Sequence, residues 1–215
     1  MISRRPFLLA ALGGVSLLVS PLRLAAAEAP ADPAAAFISR LADAAMQTMV
    51  GKGVPDQERA ARFRTLFTTD VDLVEIGRRV LGRYWRIATP EQQQEFLRLF
   101  EDIVVLTWST RFKDYGGDLR HTIVGTVDDG DRGLTVSSRV ERDRQQPIML
   151  QWRLKRIEGG FRVVDLVVEG SSMAVTYQSE YASVIRAKGD QIDGLLSALR
   201  AKVSDLQSGT SAARN

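Results

Sequence analysis

The sequence predicts an α+β domain in which a four-stranded antiparallel meander packs against several helices. Three observations predict it. The first half of the chain carries apolar residues at helical spacing. Four strand-like runs then follow, at roughly 119–127, 133–141, 147–156 and 161–168. Helical spacing returns after Ser172. Blocks of helices, then strands, then helices argue for helices gathered on one face of an antiparallel sheet. The links "DDGDR", "RDRQQ" and "IEGG" are hairpin-sized, and parallel strands would need a longer crossover.

Residues 1–27, "MISRRPFLLAALGGVSLLVSPLRLAAA", have the anatomy of an export leader: Arg4 and Arg5, an apolar run Phe7–Val19, and small residues Ala25–Ala27. The apolar run is shorter than the about 20 residues a spanning helix needs. "SRRPFLL" resembles a twin-arginine signal with Leu9 at its usual lysine; the alternative is an ordinary secretory signal that happens to hold two arginines. Either one directs the chain to the periplasm. Three of the 29 Lys+Arg lie in this leader, which leaves 26 against 26 Asp+Glu. A balanced mature chain argues against a nucleic-acid partner. Residues 28–206 suit one domain with a sizeable core, and "QSGTSAARN" reads as a disordered tail, 207–215.

Each helix follows from its spacing. Phe37, Ile38, Leu41, Ala45, Met46 and Met49 predict one from Pro33 to Met49, stopped by Gly51–Gly53. Asp56 is positioned to cap a second, to about Leu66 or Phe67, and "TTDVDLVEIGRRVLG" reads as one or two short helices. In "ATPEQQQEF", Thr89 and Gln92 form a capping box around Pro90, and the helix they open runs to about Lys113. Its apolar surface is wider than one stripe, so it is covered on more than one side or lines a greasy cavity. In the third strand, Ile148, Leu150, Trp152 and Leu154 share one face, while Met149, Gln151, Arg153 and Lys155 share the other. The fourth strand is apolar almost throughout, as a well-covered strand should be. Further helices are predicted to about Lys188, ended by Gly189, and over about Asp190–Val203.

Catalytic and metal chemistry find little support. There is no cysteine, and His121 is the one histidine, so a zinc site of the common kind is improbable. "GSSMA" at 170–174 fits the G-x-S-x-G/A pattern of a hydrolase elbow, but that motif needs a parallel sheet and a histidine after the serine. Ser172 reads better as a helix cap beyond a sharp turn at Gly170. "DDGD" lacks the ligand spacing of a calcium loop and reads as a hairpin turn. Asp70, Asp72 and Glu75 read as a helix N-terminus. The aromatics Tyr84, Trp85, Trp108, Trp152, Tyr177 and Tyr181 fit two readings equally: ordinary core, or an apolar pocket with amphipathic residues at its mouth.

Four segments carry a family resemblance: Gly82-Arg83-Tyr84, Ala88–Gln92, Gln151-Trp152-Arg153, and Asp165–Ser172 running into a helix. In order and spacing they resemble the MlaC family, also known as toluene-tolerance auxiliary proteins, over nearly all of 33–203. Ser171 departs from the family's usual valine or isoleucine. The resemblance implies a periplasmic, non-enzymatic carrier without cofactor. Its ligand would be a phospholipid with acyl tails in a pocket between helices and sheet and its head group near solvent. The implied partners are an inner-membrane ABC transporter complex with an MCE-domain protein and an outer-membrane lipoprotein complex. A sister branch implies hopanoid cargo instead. Under this reading the lipid-binding residues are Val80, Leu81, Tyr84, Phe96, Phe100, Val104 and Trp108 from the helices. From the sheet come Leu150, Trp152, Val164, Leu166 and Val168, and from the following junction Met173, Val175 and Tyr177. The alternatives are a cystatin- or NTF2-like module for another apolar small molecule and a small exported hydrolase using Ser172.

Overall fold

The computed structural model describes residues 32–50, 54–111, 119–142 and 145–212. The expected leader, the stop at Gly51–Gly53 and the break at Gly116-Gly117 lie outside the described residues. Helices α1 (Pro33–Val50), α2 (Asp56–Asp70), α3 (Leu73–Leu81) and α4 (Pro90–Arg111) come first, with a 3-10 turn over Gly82–Arg86 between the last two. The strands are β1 (Arg120–Asp128), β2 (Leu134–Glu141), β3 (Ile148–Ile157), β4 (Gly160–Val168) and the two-residue β5 (Ser171–Ser172). Helices α5 (Met173–Ala187) and α6 (Ile192–Ala212) complete the chain.

The sheet is an antiparallel meander in the order β1-β2-β3-β4-β5. It has one strand more than expected. Glu169 and Gly170 both take positive φ, 48° and 79°, as the central pair of a type I′ hairpin does. The turn therefore folds Ser171 and Ser172 back onto Val168 and Val167 before α5 begins. In β3 the expected alternation holds: Ile148, Leu150, Trp152 and Leu154 are covered, and Met149, Gln151, Arg153 and Lys155 are exposed.

Local signals explain most helix ends. Thr89 N–H donates to Gln92 Oε1 at 3.0 Å and Gln92 N–H to Thr89 Oγ1 at 3.3 Å, closing the capping box. Asp72 Oδ1 accepts from Glu75 N–H at 3.0 Å and caps α3. Asp56 is not a cap. It is the first residue of α2, whose preceding residue, Pro55, offers no side-chain acceptor. Helix α6 passes the expected end at Val203 and carries residues 207–212 of the segment read as a disordered tail. Leu195, Leu196, Leu199, Val203 and Leu206 continue one apolar stripe against the core, and that packing carries the helix on.

Two clusters make up the core. One joins α3, α4, α5 and α6 around Phe96, Phe100, Tyr181, Ile185, Leu195 and Leu196. Phe96 stacks on Phe100 at 5.7 Å, and Tyr181 meets both rings edge-on at 6.0 and 6.3 Å. Such pairs add about 1 kcal/mol each beyond area burial. The second cluster lays Ala34, Phe37, Ile38 and Leu41 of α1 on Val136, Leu154 and Val163 of the sheet. A joint fastens the α2–α3 link to β4: Asp72 N–H donates to the Val163 carbonyl at 2.9 Å, and Val71 forms a bridge with Val163.

Candidate functional site: an apolar cavity between helices and sheet

Between the two clusters lies a cavity of about 290 Å³, near the lower end of ligand-pocket sizes. Helices α1 to α5 cover it on one side and strands β2, β3 and β4 on the other. Nine of the residues expected from the sequence line it: Phe100, Val104 and Trp108 of α4, Leu150 and Trp152 of β3, Leu166 and Val168 of β4, and Met173 and Tyr177 of α5. The strand contributions follow from register. Leu150 pairs with Val168 and Trp152 with Leu166, so four wall residues stand in two cross-strand pairs.

Six expected residues do not reach the cavity. Val80, Leu81 and Phe96 are buried in the helical cluster. The α4 residues Phe96 and Phe100 lie one turn apart, but only Phe100 borders the space. Tyr84 is also buried, 3% exposed, with its hydroxyl donating to Asp190 Oδ1 at 2.8 Å and accepting from Arg83 at 2.7 Å. Its polar tip belongs to the turn before α6. Val175 faces solvent at 53% exposure, in the first turn of α5. Val164 is displaced by a β-bulge. Arg153 pairs with Asp165, but Leu154 pairs with Val163, so Val164 is the extra residue and Val163 takes the place on the wall.

The sequence reading missed the contribution of α1 and α2. Leu41 and Ala45 of α1 and Phe63, Leu66 and Phe67 of α2 all line the cavity. The last three stand at i, i+3 and i+4 in an otherwise polar helix, a signal present in "RFRTLFTTD". Arg64 ties this helix to α4, bonding Asp102 at 2.7 Å and also Glu101.

The wall is apolar except at Asp165 and Arg142. Asp165 is 1% exposed. Its Oδ2 accepts from Ser172 Oγ at 2.6 Å and Arg153 at 3.1 Å, with Arg79 at 3.8 Å, and its Oδ1 accepts from Ala174 N–H at 3.2 Å. A buried charge is tolerated when paired and bonded in this way. The carboxylate ties β3, β4 and the start of α5 together. Ser172 is fully engaged in that joint. It donates its proton to Asp165 and accepts from Val175 N–H at 3.2 Å as the α5 N-cap. The neighbour that orients this hydroxyl is thus a carboxylate already bonded to arginine. His121 sits in β1 facing α1, where burial lowers its pKa against an opposing influence from Asp43. Trp152 donates its indole N–H to the buried Ser138 hydroxyl at 2.9 Å, leaving its ring face for the cavity. Among the described residues, no group of three or more His, Cys, Asp or Glu is placed to hold a metal, and no helix is long and apolar enough to cross a membrane.

Comparison with known proteins converges on one family. The family described as MlaC protein matches residues 39–201. A toluene tolerance protein, ttg2D, of Pseudomonas putida is 24% identical over 111 residues, 52% of this chain and 51% of its own length. The chain thus spans about half of that relative. The intermembrane phospholipid transport system binding protein MlaC of Haemophilus influenzae is 25% identical over 151 residues, 66% of this chain and 69% of its own length. Among solved structures, the phospholipid-binding protein of Ralstonia solanacearum, in complex with a phospholipid, is similar with a TM-score of 0.72 and 22% identity. That likeness covers 82% of this chain and 99% of the other and shows a common fold. The match over residues 39–201, more than half of the sequence, places the chain in the MlaC protein family.

Proposed function

We propose that this protein is a periplasmic carrier that takes up a phospholipid by its acyl tails and moves it between membrane complexes. The observation that carries the reading is the cavity of about 290 Å³, walled by aliphatic and aromatic side chains and closed by helices on one side and sheet on the other. Hydrocarbon gains about 0.8 kcal/mol per methylene on leaving water. Ten buried methylenes would contribute roughly 8 kcal/mol, enough to hold a tail in transit yet exchangeable with a bilayer that offers the same gain. Such work needs no nucleophile, and the bonding of Ser172 as a helix cap favours a non-enzymatic role over a hydrolase. The leader-like residues 1–27 support export. The family relationship supports an inner-membrane ABC transporter complex with an MCE-domain protein and an outer-membrane lipoprotein complex as the donor and acceptor.

The test is transfer between vesicle populations. Delipidated full-length protein should move a fluorescent phospholipid from donor to acceptor vesicles in proportion to its concentration. No transfer above the spontaneous rate would refute the carrier reading.

A further inference from the structure

Four residues line the cavity and also belong to the cluster that α1 makes with the sheet: Leu41, Val71, Trp152 and Val163. They form the partition between the two, and Trp152 is the largest of them. Along β3 the cavity-facing stripe runs Ile148, Leu150, Trp152. The next residue on that face, Leu154, is buried in the cluster behind the partition. Strand β2 ends its contribution in the same way. Val140 lines the space, whereas Val136, which pairs with Trp152, is buried in the cluster. Measured along the strands, the cavity stops at the indole. Four residues separate it from Ile148, a distance of about 13 Å at a strand's rise of about 3.3 Å per residue.

The ring is anchored from the sheet side. Trp152 Nε1–H donates to Ser138 Oγ at 2.9 Å. The contact is diagonal, since Trp152 pairs with Val136 and Ser138 with Leu150. Ser138 is itself 0% exposed. An indole turned away from it would leave the buried hydroxyl without this donor and set its own N–H against hydrocarbon, and both are costly. The bond therefore holds the ring at one depth, with its apolar face to the cavity. We infer that Trp152 is the floor that limits how much of an acyl tail the cavity accepts, with Ser138 as its positioning residue. The inference rests on the carrier reading and adds chain-length selection to it. Methylenes that fit inside exchange with a bilayer at little net cost. Each one stopped by the floor stays in water, at about fourfold in affinity.

The test uses delipidated full-length protein and vesicles doped with an equimolar series of phosphatidylglycerols that differ only in acyl chain length. Native mass spectrometry reads which lengths load, and circular dichroism checks that each variant is folded. Wild type should show a length above which loading falls. Trp152→Leu removes roughly six heavy atoms and should move that limit roughly two carbons longer, raising the first excluded lengths roughly tenfold. Trp152→Phe should move it less, and carries the test if the leucine variant does not fold. Ser138→Ala frees the ring and should blur the limit while the shorter chains load as before. Leu154→Ala opens space behind the floor and destabilises the cluster, but should leave the limit in place, which separates lost stability from lost depth. A wild-type profile without a limit would overturn the inference. So would an unmoved limit in the folded Trp152 variants, or an equal shift in Leu154→Ala. Failure of wild type to load any length would instead refute the carrier reading, and this inference with it.

Discussion

Val168→Trp tests the cavity assignment. Val168 lies on the wall opposite α4 and α5 and pairs with Leu150. Tryptophan adds roughly seven heavy atoms, and directed into an apolar space of about 290 Å³ they occupy room that a tail would fill. Excluding about four methylenes at about 0.8 kcal/mol each removes about 3 kcal/mol of binding, roughly a hundredfold in affinity. Overpacking a tight core costs about 1–3 kcal/mol of stability, but here the ring enters existing space, so the melting temperature should change little. The control is Val175→Trp, at a position 53% exposed and away from the cavity. The assay is loading from vesicles with a fluorescent phospholipid, alongside thermal unfolding. The reasoning is refuted if Val168→Trp loads normally while folded, or if Val175→Trp loses as much.

Three further outcomes follow from the same geometry. Ser172→Ala should cost about 3 kcal/mol in denaturant unfolding, through loss of the α5 cap and of the bond to the buried Asp165 carboxylate, and leave lipid transfer intact; loss of transfer in the folded variant would show that the hydroxyl has a further role. Asp165→Ala should cost about 3 kcal/mol, because Ser172, Arg153 and the Ala174 N–H lose a shared buried acceptor; a loss under 1 kcal/mol in urea would show that the joint contributes little. His121 has a folded pKa pulled below its unfolded value by burial, opposed by Asp43. As pH falls below about 6.5 the unfolded chain takes up the proton first, so stability should decline toward pH 5. The slope should stay below the about 1.4 kcal/mol per pH unit of a whole proton, since the ring is only partly buried. His121→Gln should flatten that part of the profile, and an unchanged slope would assign it to other groups.

The course of the chain was legible because its signals are local. The capping box at Thr89 and Gln92, the hairpin links "DDGDR" and "IEGG" and the clean alternation of β3 each involve residues a few positions apart, and each appears in the structure. The wall was legible where register follows from alternation, as in the Leu150–Val168 and Trp152–Leu166 pairs. It was misread where a non-local event intervened. The bulge that replaces Val164 by Val163 arises from pairing with β3, which the β4 sequence alone does not encode. Helical spacing placed Phe96 and Phe100 on one face but could not separate core from cavity, a distinction made by α5 and α6 packing over Phe96. The α2 contribution was overlooked because polar residues surround Phe63, Leu66 and Phe67. The tail was misjudged because Leu206 extends a stripe whose value depends on the core beneath it.

The most direct measurement of the central claim is native mass spectrometry of the protein purified from cells without detergent. The account predicts a bound population heavier than the apo chain by the mass of a phospholipid, with the lipid released on activation and its phosphate-bearing head group identified by fragmentation. A spectrum of apo chain alone, from protein that also fails to acquire lipid from vesicles, would contradict it.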